Sequence, residues 1–291
     1  MNSPERIDLP GAGLRLAADA AGPEDGPPVL LLHGGGQSRR SWGRALEALA
    51  EAGARAVAAD LRGHGDSDWA PDATQYRPEH FAADVVRAVE AVSERSGGRP
   101  VLVVGASMGG VAAMVAAPQL HDRLTGLVLV DVVANIRMDG ARRVLDFMKS
   151  APDGFATLEE AADAVAAYLP HRPRPSDHEG LKRNLRQRPD GRWVWHWDPR
   201  LVTEDALDRV EDVHNGQLDD SAAAIRVPTL LVRGLLSDIV DEDGVAHLKG
   251  LVPQLEVVDI ADAAHTAATD DNDAFVTAVL EFTGRVAAGV R

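Results

Sequence analysis

Read for polarity alone, the chain alternates short apolar runs with longer stretches in which apolar positions recur every three or four residues. Residues 29–32, 100–105 and 124–130 are nearly continuous apolar runs. That is the signature of a strand covered on both faces of a parallel sheet. Residues 55–60, 227–233 and 255–260 are shorter or less uniform strands of the same kind. Between them, 41–52 places Trp42, Ala45, Leu46 and Leu49 on one side of a helix. The stretch 78–96 does the same with Phe81, Val85, Val89 and Val92. Further helices are predicted over 108–117, 242–249 and 271–287, and a hairpin over 5–20, turning at Pro10 to Gly13. Strands alternating with helices predict βαβ units and a mostly parallel sheet.

The rhythm breaks between Val133 and Asp219. Helical spacing continues over 140–150, 158–167 and 203–210, but no buried strand is evident, and three prolines between 170 and 175 mark a loop. The βα alternation resumes afterwards. This predicts one core domain, 1–132 and 220–291, interrupted by a helical insertion over 133–219. No internal repeat is evident.

Composition narrows the classes. The 291 residues are 45% hydrophobic, enough for one large core, and no apolar run reaches the length of a membrane span. A formal net charge of −15 disfavours nucleic acid or an anionic membrane as partner. The absence of cysteine removes disulfides, thiolate metal sites and cysteine nucleophiles. The first residues do not read as a signal peptide, so the expected location is cytoplasmic. A homodimer is compatible with all of this.

The chemistry begins where the strand over 100–105 meets the helix after it. The segment Gly105-Ala106-Ser107-Met108-Gly109 has the Gly-x-Ser-x-Gly pattern of a nucleophile elbow. A serine in a sharp strand-to-helix turn projects its hydroxyl above the sheet, and glycines on either side leave out side chains that would clash there. The helix start then presents backbone N–H groups beside the hydroxyl. There is no Gly-Lys-Ser/Thr phosphate loop and no dinucleotide fingerprint after the first strand, so no cofactor is expected. His171, His178 and His196 in the insertion lack metal-ligand spacing, so no metal is expected either.

With the elbow, the stretches 29–36, 60–67, 234–240 and 264–265 together resemble the α/β-hydrolase superfamily. The likeness spans almost the whole chain outside the insertion. It implies an α/β-hydrolase fold: an eight-stranded, mostly parallel sheet with helices on both faces, and an inserted helical cap over the active site. In this fold the chain order is nucleophile, acid, histidine. Ser107 is then the nucleophile and His265, after the last strand, its base. Asp238, in the loop after 227–233, is the preferred acid. It lies four residues after Gly234, with Ser237 in the family's usual slot; Asp131, at the end of an earlier strand, is the alternative acid. The oxyanion hole is expected from the N–H of Met108 and that of Gly35, with Gly36 as the alternate second donor. Asp60, Arg62, Gly63, Gly65 and Ser67 read as a loop scaffold, with His64 free to face the pocket.

The implied reaction is hydrolysis of a small or medium carboxylic ester or lactone through an acyl-serine. A serine at the elbow disfavours haloalkane dehalogenases and epoxide hydrolases, which use aspartate there. Carbon–carbon bond hydrolysis, cofactor-free haloperoxidase or perhydrolase chemistry, and a non-catalytic receptor stay open. In the cap, Trp193, Trp195 and Trp197 alternate along one segment. They either line an apolar pocket or anchor the cap; Gly36 and Met138 are further pocket candidates.

Overall fold

The computed structural model describes residues 4–170, 174, 178–261, 263 and 273–289. Strands β1 (Glu5–Pro10) and β2 (Arg15–Ala21) form the expected hairpin. They are followed by β3 (Pro28–Leu32), β4 (Arg55–Ala59), β5 (Val101–Ala106) and β6 (Leu124–Val130). The first helices alternate with them: α1 (Gly43–Glu51), α2 (Pro78–Arg95) and α3 (Met108–Leu120). Between Val133 and Pro228 come α4 (Met138–Met148), α5 (Leu158–Tyr168), a small antiparallel pair of β7 (Leu185–Gln187) and β8 (Trp193–Trp195), α6 (Ala206–Asp212), one π-helical turn (Val213–Gln217) and α7 (Leu218–Ala223). The core resumes with β9 (Thr229–Gly234), α8 (Glu242–Leu251), β10 (Leu255–Ile260) and α9 (Asp273–Ala288).

The main sheet has eight strands in the order β1-β2-β4-β3-β5-β6-β9-β10. β2 runs antiparallel to both neighbours and the rest are parallel. This is the α/β-hydrolase architecture the sequence implied. Alternate residues of the apolar runs serve two cores. Leu30, Leu32 and Val103 face the layer of α2 and α3, whereas Val29, Leu31 and Val104 face α1 and α9. That two-sided burial is why these strands show no polar alternation.

Register then assembles the site. Leu32 pairs with Gly105, Ala106 with Val130, and Val130 with Val232. Four strands therefore end level, and the residues just past them, the glycine loop, Ser107, Asp131 and Gly234, meet at one carboxyl edge. Ligands bind at this edge in open α/β sheets.

The β7–β8 pair was not legible as strands. Three residues per strand are too few to establish a period of two, and the pair is held by its partner rather than by its own sequence. Among the described residues, no helix is long and apolar enough to cross a membrane.

Candidate active site

Ser107 caps α3 with φ +46° and ψ −115°, a conformation a side chain rarely adopts. The turn is over-determined by its neighbours. Ser107 N–H donates to Val130 O at 3.1 Å, and Val111 N–H to Ser107 O at 2.9 Å. A Cβ on Gly105 would lie 2.6 Å from Gly109 O, and one on Gly109 would lie 2.5 Å from Leu32 O. Both glycines are required because the backbone of β3 and the start of α3 occupy that space.

The loop after β3 resolves which of its N–H groups can serve a ligand. Gly34 N–H donates to Gln37 Oε1 at 3.0 Å, and Gly36 N–H donates to His64 Nε2 at 3.2 Å. Gly35 N–H makes no hydrogen bond among the described residues. Gly35, Met108 and Ser107 all line one cavity of about 150 Å³, whereas Gly36 does not.

His64 is fully buried behind this loop rather than in the cavity, with Nδ1 3.0 Å from Arg62 O. Its ring stands edge-on to His33, whose Nε2 accepts from Leu61 N–H at 2.9 Å. Burial lowers the pKa of both, with neighbouring histidines adding to the effect at His64. Neutral rings can accept at Nε2 while donating at Nδ1 to a carbonyl, which is the pattern both show. The loop of residues 60–67 is the scaffold expected of it. Arg62 makes a bidentate pair with buried Asp84 at 2.6 and 2.7 Å, and Ser67 Oγ donates to Asp60 O at 2.7 Å. A Cβ on Gly65, at φ +54°, would collide with the Asp60 carboxylate.

The two acid candidates lie in contrasting places. Asp131 is fully buried at the end of β6, with φ +49°, and lines the cavity with Ser107. Its Oδ1 accepts from Gly234 N–H at 3.2 Å and its Oδ2 from Ser237 Oγ at 2.6 Å. The carboxylate of Asp238, the acid preferred from sequence, forms an ion pair with the exposed Arg143 of α4, and Asp238 does not line the cavity. The reason is local. Ser237 turns inward to Asp131 and accepts the N–H groups of Ile239 and Val240, both at 3.1 Å. In the bend that these bonds close, the Asp238 carboxylate is left to Arg143. His265 lies outside the described residues.

The insertion also sits differently from one expectation. Trp195 and Trp197 stack at 4.9 Å and 10° and are buried, but neither lines the cavity; nor does Met138. Trp197 Nε1 donates to Met148 O at 3.3 Å, and its ring lies against Gly36. The pair therefore anchors the insertion onto the glycine loop, from behind the cavity wall. His196, next to them, accepts Gly65 N–H at Nδ1 at 2.7 Å, and Tyr76 donates to Asp198 Oδ2 at 2.5 Å. The insertion's contribution to the cavity comes instead mainly from α4, α6 and the turn after α6, through side chains such as Val144, Leu145, Met148 and Val210. Amphipathic spacing identifies these helices, but not which residues face a ligand rather than the core. His214 lines the cavity too, and no motif in the sequence singles it out.

A family model described as the alpha/beta hydrolase fold matches residues 27–271. The esterase Rv0045c of Mycobacterium tuberculosis is 29% identical over 262 residues, covering 87% of this chain and 81% of that protein. Protein phosphatase methylesterase 1 of Mus musculus is 38% identical over 141 residues, 48% of this chain but only 36% of that protein. Among solved structures, an alpha/beta hydrolase from Novosphingobium aromaticivorans superposes with a TM-score of 0.79 at 25% identity, over 98% of this chain and 99% of that one.

Proposed function

Because the chain belongs to the α/β-hydrolase family, we propose that it hydrolyses a small or medium carboxylic ester or lactone through an acyl-enzyme on Ser107. The observation that carries this reading is the position of Ser107. It sits on a turn at φ +46°, in an apolar cavity that it shares with Gly35, the residue whose N–H is uncommitted, and with Met108 at the helix start.

In this mechanism Ser107 Oγ attacks the ester carbonyl carbon while its proton passes to His265. The carbonyl oxygen becomes an oxyanion and takes hydrogen bonds from the N–H groups of Gly35 and Met108. Collapse breaks the carbon–oxygen bond, and His265 returns the proton to the leaving alcohol. Water, deprotonated by His265, then attacks the acyl-serine and releases the acid. Asp131, rather than Asp238, orients His265. Its support is a carboxylate buried beside Ser107 and held by Gly234 N–H and Ser237, while Asp238 is occupied at the surface by Arg143. The segment 133–219 acts as the cap, closing the cavity with α4 and α6. The esterase and methylesterase relatives support an ester as the scissile group.

A fluorophosphonate probe tests this directly. It should label the native protein at Ser107 and not the Ser107→Ala variant, and the variant should lose turnover of p-nitrophenyl esters. Absence of label on native protein would overturn the reading.

A further inference from the structure

The cavity is lined mostly by apolar side chains, and its few polar ones are nearly all committed. The Tyr76 hydroxyl donates to Asp198 and accepts Ala70 N–H at 2.9 Å. The Arg209 guanidinium is turned onto Tyr76 O, Leu201 O and Thr203 Oγ1 at 3.4, 3.0 and 3.0 Å. Ser107 and Asp131 belong to the reaction centre. His214 is the exception.

After α6 the chain runs straight into the π-helical turn Val213–Gln217 before α7 resumes α geometry. Such a turn inserts an extra residue into the helix, shifts the side chains that follow and occurs frequently at functional sites. Here it carries the imidazole of His214 to the cavity wall. His214 Nδ1 lies 2.7 Å from Ala134 O. A carbonyl can only accept, so Nδ1 holds the ring proton and Nε2 keeps a lone pair. Burial lowers the pKa of this histidine, so the ring is neutral at neutral pH. Among the described residues the one hydrogen bond of His214 is that through Nδ1, so Nε2 has no partner there. The result is a tautomer-locked acceptor in a cavity whose wall, away from the reaction centre, is otherwise apolar or already hydrogen-bonded.

We propose that His214 is a specificity-determining residue that accepts, at Nε2, a hydrogen bond from a neutral donor on the apolar part of the substrate. The substrate class is then an ester or lactone whose hydrocarbon portion carries a hydroxyl or amide N–H, not a plain alkyl ester. A plain chain entering the cavity strips water from Nε2 and returns nothing, whereas a correctly placed donor satisfies it. The inference rests on the ester-hydrolase reading of the same cavity.

The test is a set of ester substrates in which a hydroxyl is walked along the acyl chain, then along the alcohol chain. At each position the hydroxyl compound is matched by plain, methoxy and acetamido compounds. At one position the native enzyme should favour the hydroxyl or the acetamido ester over the plain and methoxy esters by about tenfold or more in kcat/KM, chiefly through KM. Which of the two is favoured identifies the donor. His214→Phe should level the series, by losing the gain for the donor-bearing ester and removing the desolvation cost borne by the plain one. His214→Leu replaces it if the phenylalanine protein does not fold. His214→Gln, whose Oε1 reaches the place of Nε2, should restore part of the preference. No preference at any position, or one that survives in His214→Phe, overturns the proposal.

Failure of the hydrolase reading is read separately. If no ester turns over and Ser107 takes no label, binding of matched ethers, which have no acyl bond, is measured by calorimetry. The native protein should hold a donor-bearing ether about tenfold tighter than its methoxy partner. His214→Phe should hold both equally. Equal binding by the native protein overturns the proposal about His214 independently.

Discussion

Two acidic residues, Asp131 and Asp238, end up near the same loop, and what separates them is the direction of one side chain. Ser237 faces inward and donates to Asp131 at 2.6 Å, which leaves Asp238 facing the solvent and Arg143. A hydroxyl donated to the Asp131 carboxylate holds its orientation toward the cavity. Asp131→Asn is therefore expected to fold, because the amide oxygen can take the place of Oδ2 and still accept from Ser237 while only the Gly234 N–H loses its acceptor, but to lose roughly 10⁴-fold in kcat through the wrong histidine tautomer. Asp238→Asn removes only an exposed ion pair and should stay within a few-fold of the native rate. Ester hydrolysis by the two purified variants decides this, and the reverse ranking would return the acid role to Asp238.

At the scale of elements, the N–H proposed as oxyanion donor is set by two loops rather than one. The glycine loop after β3 supplies the N–H groups, while the loop after β4 supplies His64, which binds Gly36 N–H and leaves Gly35 N–H without a partner among the described residues. The stacked Trp195 and Trp197 close the far side of the same loop. Loss of the acceptor should let the loop relax without touching the substrate. His64→Phe is expected to lower kcat about ten- to a hundredfold, since a small misplacement of one donor is costly. KM for the same ester should barely change, because the apolar cavity is intact. A KM effect without a kcat effect would show that the loop is not positioned this way. The elbow needs no such help from afar: Gly105 and Gly109 are set against backbone, so β5 and α3 enforce the turn themselves.

Across the whole molecule, three buried histidines tie core to insertion: His33, His64 and, from the insertion, His196. Burial lowers the pKa of all three, that of His196 to about 3. The unfolded chain takes up protons at histidine near the ordinary value of about 6.5, whereas the folded protein does so only at lower pH. The unfolded state thus binds more protons below that value, and stability falls as the pH drops. Each histidine still neutral in the fold contributes a slope of up to ~1.4 kcal/mol per pH unit. Below about pH 4 Asp66 adds to the loss. Although burial raises its pKa, hydrogen bonds from Arg186 and Arg39 outweigh that and hold it at about 2, so the fold loses this contribution as Asp66 is protonated. Urea midpoints measured across the pH range should be level between about pH 7.5 and 8.5 and decline from about 6.5 to 5. A level midpoint down to pH 5 would mean that these rings are not held neutral by the fold.

Local pattern alone determined the order of strands and helices of the core and the turn at Ser107. These features are written in short stretches, as two-sided apolar runs, helical spacing, and glycines where the backbone passes too close for a side chain. Only the tertiary structure decided the matters that depend on residues far apart in the chain. Pairing of Val130 with Val232 brings Asp131 level with the loop carrying Ser237 and Asp238, which lie about a hundred positions later. Which glycine N–H stays uncommitted depends on Gln37 and on His64 from another loop. The aromatic alternation in the insertion was legible, but whether the rings face a ligand or the core depended on where that segment docks. It docks with Trp197 over Gly36, and the cavity wall falls to the aliphatic faces of α4 and α6. Periodicity reports that a face is buried; what buries it is set by contacts that no single stretch contains.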